Sequence, residues 1–164
     1  MAKVLVVHRK ASKLTAHMAH LVQRGAEEAG ASVIVKTADQ VEPADMTAAD
    51  AIVVGSPCYL GSMDAETKAM FDRSYSVLGQ LEGKVGGAFS SAAHIGGGNE
   101  TALMSIYHAM LVHGMIIQGD SAADHYGPVA ICQTDVDEEA FVDDSDQCRR
   151  LGRKVATLAE KIKT

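Results

Sequence analysis

The segment Phe89–Glu100 has the composition of a loop that presents backbone groups to a ligand. It passes from an apolar run, through small residues and the glycines Gly96–Gly98, into an amphipathic stretch. Consecutive glycines lose much conformational entropy on folding, so such a run is unfavourable unless the backbone must approach another group closely. Backbone N–H groups at the start of a helix donate to polar and anionic ligands. The segment therefore predicts hydrogen bonds to the polar edge of a flat heterocycle.

A second segment, His8–Thr15, has features that favour phosphate binding. It joins an apolar run to the expected start of a helix, where unpaired amides and a partial positive charge attract anions. A helix cap with surface cations beside it has the same composition, so the residues alone leave both interpretations open. The charged and hydroxyl side chains that could contact a phosphate are Arg9, Lys10, Ser12, Lys13 and Thr15.

A third segment, Ser56–Met63, combines a rigid backbone with apolar side chains. Pro57 restricts the chain, and Gly61 permits an unusual turn. Tyr59 and Leu60 offer a flat aromatic and an apolar surface that could hold the edge of a ring system. An ordinary strand-to-helix connection also explains the segment, so its residues alone do not decide the matter.

Five apolar runs alternate with helical patterns, which is typical of a doubly wound α/β sheet. We expect a three-layer fold with five parallel strands in the order 2-1-3-4-5, and the three segments meeting at the carboxyl edge. We predict loops at Glu42–Ala44 and Asp120–Asp135. The predicted strands are Lys3–Val7, Ser32–Thr37, Ala51–Gly55, Val85–Phe89 and Met115–Ile117. The predicted helices are Thr15–Ala29, Asp64–Leu78, Glu100–His113 and Glu138–Lys161.

Composition narrows the class of protein. A length of 164 residues favours one domain spanning residues 1–164. With 4% aromatic residues and no Trp, the core must consist of Ala, Val, Leu, Ile and Met.

A net charge of -6 argues against a nucleic-acid partner. Three Cys without a Cys-x-x-Cys pair argue against a zinc ribbon or an iron–sulfur cluster. The odd Cys count and the lack of a secretory signal favour the cytoplasm, and no apolar run predicts membrane insertion.

Several segments together carry a resemblance that spans nearly the whole chain. They are Gly55–Met63, Phe89–Ser91, Gly96–Glu100, His113–Met115 and Tyr126–Gly127. In this order they resemble the flavodoxin-like superfamily, and most closely its tryptophan-repressor-binding-protein-type NAD(P)H:quinone oxidoreductases. The resemblance implies FMN as cofactor, NAD(P)H as co-substrate, a quinone or similar small-molecule acceptor, and a homo-oligomer.

The resemblance also implies which residues hold FMN. The phosphate is expected at Arg9, Lys10, Ala11, Ser12, Lys13, Leu14 and Thr15. The ring is expected against Pro57, Cys58, Tyr59, Leu60 and Gly61. The polar edge of the ring is expected at Ser90, Ser91, Ala92, Ala93, His94, Gly96 and Gly97. His125 and Tyr126 could line the open face of the ring and orient a substrate.

The chain departs from the family pattern at defined places. Phosphate loops of flavodoxin-like proteins usually read S/T-x-T-G-x-T, and Lys13 stands where that pattern has glycine. The glycine-containing segment Phe89–Glu100 is one residue longer than in the quinone reductases. Val112 occupies the position of a family histidine, and the excursion Ser74–Lys84 is shorter and lacks the Trp often found there.

Other functions remain open at the level of sequence. A flavodoxin-type electron carrier is the main alternative, although such carriers are strongly acidic and place the ring between aromatic side chains. A flavin-free binding module is a third hypothesis; a phosphoacceptor receiver would need acidic residues where this chain has His8–Lys10. His17 and His20 lie one helical turn apart without a third ligand nearby, so we expect no metal site. No residue is predicted to act as a catalytic acid or base.

Overall fold

The computed structural model describes residues 1–122, 125–131 and 145–163. Within these ranges the chain forms one sheet with helices on both faces. The strands are β1 (Lys3–His8), β2 (Ser32–Thr37), β3 (Ala51–Tyr59), β4 (Ser62–Met63), β5 (Val85–Ala92), β6 (Ile116–Ile117) and β7 (Val129–Ile131). The sheet is parallel except for β4, which pairs antiparallel with β3. The α-helices are α1 (Lys13–Glu28), α2 (Pro43–Ala48), α3 (Ala65–Arg73), α4 (Asn99–Val112) and α5 (Ser145–Ile162).

The order of the sheet is β2-β1-β3-β5-β6, with parallel pairing throughout this path. The predicted order 2-1-3-4-5 is therefore confirmed. The buried, Val-rich runs of β1 and β3 are typical of strands covered on both faces.

The fifth position of the sheet is filled by two short strands. β6 pairs with the start of β5 at Val85 and Gly86, and β7 pairs with its end at Ser90–Ala92. The prediction that the fifth strand is a single run, followed by a loop from Asp120 to Asp135, was therefore wrong where β7 forms. A three-residue strand is too short to show a hydrophobic period in the sequence. The position of β7 is set by its pairing with β5.

A second correction concerns Glu42–Ala44, which was predicted to be a loop. Pro43 is the first residue of α2, and the Asp45 carboxylate accepts from the Glu42 amide at 2.9 Å at the start of this helix. Proline suits this position because its missing N–H would be unpaired there. With only six residues, α2 has no hydrophobic period for sequence reasoning to detect.

β3 and β5 extend further than predicted, to Tyr59 and Ala92. Their parallel register continues as Ser56 opposite Ser90 and Pro57 opposite Ser91. The pairing of β1 with β3 stops at Val54, so no neighbouring strand lies along one side of β3 at Pro57. This free side explains how a proline is accommodated in a central strand.

Alternating residues of the strands divide the core between the two faces. Val4, Val6 and Phe89 pack beneath α1 and α5, whereas Leu5, Val7 and Ile52 pack beneath the helices on the other side. The expectation of a core built from aliphatic residues and Met is confirmed. Met residues that are almost fully buried are Met18, Met46, Met70, Met110 and Met115.

The boundaries of α1 and α4 lie within two residues of the predictions. α1 begins two residues before the predicted Thr15, and α3 ends at Arg73 and continues as a 3₁₀ turn, Ser74–Val77. The predicted start of the last helix at Glu138, as well as Cys132, lies outside the described residues.

Candidate functional site

Three loops meet at the carboxyl edge of the sheet because β1, β3 and β5 are neighbouring parallel strands. We name them the first loop (residues 9–15), the second loop (residues 57–63) and the third loop (residues 90–98). The carboxyl edge is where open α/β sheets bind ligands. The structure thus brings together the three segments that the sequence singled out.

The first loop ends in the first turn of α1, with Ser12 as its N-cap. The Ser12 hydroxyl accepts from the Thr15 amide at 3.3 Å, and the buried Thr15 hydroxyl donates to the Ser12 carbonyl at 3.2 Å. The amides of Ala11 and Leu14 make no hydrogen bond to any residue that the structure describes. These N–H groups lie at the positive end of the helix dipole, so the loop is able to accept an anion.

The cations of the first loop face acidic and aromatic partners. Lys10 Nζ lies 3.1 Å from Asp39 Oδ2, and hydrogen bonds from Thr37 and Lys10 lower the pKa of Asp39. Arg9 Nη1 donates to the Tyr59 hydroxyl at 2.5 Å. Lys13 is exposed in the first turn of α1. The loop is therefore less positive than its sequence alone indicates.

Glu66 in the first turn of α3 also contacts the first loop. Its Oε1 atom accepts a hydrogen bond from the backbone amide of Lys10 at 3.0 Å. Sequence analysis did not identify this residue, because 56 positions separate the two partners. No local pattern could have revealed the contact.

Asp64 fixes the connection between the second loop and α3. Its buried carboxylate accepts from the amides of Glu66 and Thr67 and from the Thr67 hydroxyl. Ser56 Oγ lies 2.8 Å from Asp64 Oδ2, and Arg9 Nε lies 3.6 Å from Asp64 Oδ1. An N-cap aspartate of this kind is visible in the sequence, but its proximity to Arg9 is not.

The second loop forms a hairpin between β3 and β4 with a two-residue turn at Leu60 and Gly61. Both have positive φ, +50° and +77°, as hairpin turns of this length favour. A left-handed backbone is unusual for leucine and is found preferentially at functional sites. Leu60 is fully exposed and Tyr59 is half exposed, so the turn presents apolar surface at the edge of the sheet.

The third loop makes a tight turn in which the Gly97 amide donates to the His94 carbonyl at 2.9 Å. Gly98, with φ of +95°, is the N-cap of α4. Cys58 Sγ of the second loop lies 3.2 Å from the Gly98 carbonyl oxygen. A Cβ atom on Gly98 would lie 2.9 Å from that sulfur, so glycine is required for the two loops to touch.

The predicted residues of the third loop divide into two groups. Ser90, Ser91 and Ala92 are buried within β5, and the Ser90 hydroxyl has no partner among the described residues. Exposed residues, which a ligand at the edge can reach, are Ala93, His94, Ile95, Gly96 and Gly97.

His125 and Tyr126 lie apart from the three loops. They precede β7. Their neighbour Gly127 lies against the middle of β5, since a Cβ atom added to Gly127 would be 2.3 Å from the Ala88 carbonyl oxygen. The Tyr126 carbonyl accepts from the hydroxyl of Tyr107, and burial raises the pKa of Tyr107 to about 12. The structure does not bring these two residues to the carboxyl end of β5.

The described residues contain neither a cluster of metal-ligating side chains nor a helix that could cross a membrane. Within them, no group of three or more His, Cys, Asp or Glu side chains is placed to hold a metal ion. His17 and His20 both lie on the exposed side of α1. None of the helices in the described ranges is both long and apolar enough to cross a membrane.

A parallel sheet path in this order, with three loops at its carboxyl edge beside an anion-accepting helix start, is the architecture of the flavodoxin-like class of proteins. A family model, NADPH-dependent FMN reductase, matches residues 42–128, more than half of the chain. The chain therefore belongs to the NADPH-dependent FMN reductase family, and it is an FMN-dependent oxidoreductase that uses NAD(P)H.

Individual flavoproteins are similar to this chain over most of its length. A flavodoxin from Aquifex aeolicus is 36% identical over 95% of this chain and 86% of its own length. An NAD(P)H dehydrogenase (quinone) from Caulobacter vibrioides is 32% identical over 99% of both chains. The solved structure of a WrbA-like flavodoxin from Agrobacterium tumefaciens has a TM-score of 0.77 at 25% identity and covers 98% of this chain and 99% of that chain.

The residues at the carboxyl edge fit FMN. The open amides of Ala11 and Leu14 suit a phosphate ester, and the exposed side chains of Tyr59, Leu60 and Ile95 suit an apolar ring. At Gly96, with φ of +72°, an added Cβ would have no atom within 4 Å, so the backbone there borders open space. The Lys10 amide of the first loop is already occupied, because it donates to Glu66 Oε1 at 3.0 Å.

Proposed function

We propose that this protein passes electrons from NAD(P)H, through FMN bound at the three loops, to a quinone or a similar small-molecule acceptor. The observation that carries the proposal is the convergence of open amides in the first loop with exposed apolar side chains in the second and third loops. FMN, when bound, supplies the redox chemistry by accepting a hydride and releasing electrons to the acceptor.

The chain's own groups bind and orient the cofactor. In this proposal the residues Lys10–Thr15 hold the phosphate through backbone amides and hydroxyls. Tyr59 and Leu60 cover one side of the ring, and the backbone of Ala93–Gly97 donates to its polar edge. We assign no catalytic acid or base, because hydride transfer to a bound flavin requires positioning more than proton transfer.

The apolar rim is open to solvent, so a small acceptor could reach a ring bound there. Tyr59 is 53% exposed and Ile95 is 82% exposed, so the ring's outer face would be accessible to a planar molecule. The quinone substrate named for the Caulobacter vibrioides relative is consistent with such an acceptor.

An electron carrier is the second candidate, and the similarity to the Aquifex aeolicus flavodoxin favours it. A carrier would dock a protein partner on the same exposed rim. Steady-state turnover separates the two functions. Sustained NAD(P)H oxidation with benzoquinone as acceptor supports the oxidoreductase, whereas a flavin-loaded protein without such turnover supports the carrier.

We also propose that the protein forms a homo-oligomer in the cytoplasm. Exposed apolar side chains on the face formed by α4 and the turn after α3 support an assembly interface, since Tyr75 and Val112 are each 74% exposed. They border a groove of about 420 Å³. Light scattering should give a dimeric or tetrameric mass that Val112→Glu lowers; a monomeric mass for the natural sequence would refute the assembly.

The experiment that tests the proposed function is reconstitution. The purified protein is mixed with FMN, freed of excess flavin, and assayed for visible flavin absorption and for NAD(P)H oxidation with benzoquinone. Retained flavin with turnover supports the proposal. A colourless protein that does not accelerate NAD(P)H oxidation contradicts it.

A further inference from the structure

The backbone donors of the first loop meet a carboxylate that belongs to the protein itself. The Lys10 amide donates to Glu66 Oε1 at 3.0 Å, and Glu66 is partly buried in the first turn of α3. The contact joins the start of the first loop to the helix that follows the second loop. A backbone amide at this place is the kind of donor that a phosphate ester needs.

Two further carboxylates surround the same loop, but their roles differ. Asp39 contacts the flexible side-chain ammonium of Lys10 rather than a backbone donor. Asp64 is held by several hydrogen bonds as the cap of α3, so it cannot leave without disrupting that helix. Among the described residues, Glu66 is the carboxylate that occupies an amide of the first loop.

We propose that Glu66 is an internal anion that competes with the flavin phosphate for the Lys10 amide and so weakens the selectivity for FMN over riboflavin. This inference rests on the proposed function, because it takes the first loop as the phosphate site. A phosphate group and a carboxylate repel each other, and an amide donates to one of them at a time. A flavin phosphate can therefore use the Lys10 amide only when the Glu66 side chain has moved away from it.

The test compares Glu66→Gln with a matched control on the same helix. Glutamine keeps the shape and an acceptor oxygen but removes the charge. Asp72→Asn removes the same charge from an exposed residue of α3 that pairs with Lys68 rather than with the first loop. FMN and riboflavin are titrated separately into each protein, and binding is measured by quenching of flavin fluorescence.

The expected result for Glu66→Gln is FMN binding tightened by about tenfold, since one repulsive charge beside the phosphate is removed. Riboflavin lacks the phosphate, so its affinity is expected to change by less than about twofold. Asp72→Asn should leave both affinities unchanged. Glu66→Ala should act in the same direction as Glu66→Gln, which guards against an effect specific to glutamine.

Two results would overturn this inference while leaving the proposed function intact. One is that Glu66→Gln and Glu66→Ala bind FMN no more tightly than the natural protein does. The other is FMN and riboflavin affinities that shift together, which would indicate a contact to the part common to both flavins. If none of the proteins binds either flavin, the proposed function fails together with the inference.

Discussion

The guanidinium carbon of Arg9 lies 4.9 Å from the centroid of the Tyr59 ring, and Arg9 Nη1 donates to the Tyr59 hydroxyl. A cation over an aromatic face is an attractive arrangement. It connects the first loop to the second, so the expected phosphate site and ring site are joined through these two side chains.

Replacing the aromatic ring should weaken binding of both flavins. We expect Tyr59→Ala to lower the affinity for FMN and riboflavin alike by about tenfold, because stacking on an aromatic ring contributes about 1–3 kcal/mol. Tyr59→Phe keeps the ring and should lose much less. Equal affinities for Tyr59→Ala and the natural protein, measured by fluorescence titration, would exclude Tyr59 from the ring site.

Reversing charge at the first loop should affect FMN specifically. The double variant Lys10→Glu, Lys13→Glu removes two cations beside the expected phosphate, each worth on the order of 1.5–3 kcal/mol. Riboflavin affinity should stay nearly constant. Arg24→Glu with Lys161→Glu, two exposed cations elsewhere, changes the net charge equally and serves as the control. Unchanged FMN affinity in calorimetry would contradict the phosphate assignment.

The contact between the second and third loops predicts a steric effect at Gly98. Gly98→Ala strains a left-handed residue, at about 1–2 kcal/mol, and also brings Cβ to 2.9 Å from Cys58 Sγ. Gly79→Ala carries the same kind of strain, with φ of +85° and no atom within 4 Å, so it isolates the backbone cost.

Thermal melting and flavin titration together check this expectation. Both variants should lower the melting temperature, but Gly98→Ala alone should weaken flavin binding. Adding Cys58→Ala to Gly98→Ala should restore part of the lost affinity. Identical flavin affinities for the two glycine variants would show that the loop contact is irrelevant to the site.

A buried histidine predicts how stability depends on pH. His113 is buried, its Nε2 lies 2.8 Å from Ser74 Oγ, and burial lowers its pKa from the ordinary 6.5. Because the unfolded chain then binds the proton more readily, the free energy of unfolding should be highest above pH 6.5 and should fall as the pH drops below that value towards the folded-state pKa.

Urea unfolding over a series of pH values measures this dependence. His113→Gln should flatten the slope just below pH 6.5 even if it lowers stability at every pH. His125→Gln alters an exposed histidine and should retain the slope. The same slope in His113→Gln as in the natural protein would assign the dependence to other groups.

The long apolar runs made the main strands and their order predictable. β2 was predicted residue for residue, whereas β7 and α2 were missed because three- and six-residue elements carry no measurable period. The ends of β3 and β5 were placed too early, since Ser90, Ser91 and Pro57 read as loop residues. Their pairing with each other, a contact distant in sequence, keeps them in the sheet.

The loops of the site were predictable because their glycines and hydroxyls are local signals. The acidic contacts to Arg9 and Lys10 were not predictable from the sequence. Their partners Asp39, Asp64 and Glu66 lie far from the first loop along the chain. Tyr126 was expected near the ring, but the split of the fifth strand places its neighbour Gly127 beside Ala88. Sequence reasoning had no signal for that split.

The most direct test of the FMN site is an NMR titration of the isotopically labelled protein with FMN. We predict saturable shifts of backbone amides in all three loops, including Ala11, Leu14, Leu60 and Gly96, with little change at the distant groove beside Tyr75 and Val112. Saturable shifts confined to that groove, or no shifts at excess FMN, would contradict the placement of the cofactor at the carboxyl edge of the sheet.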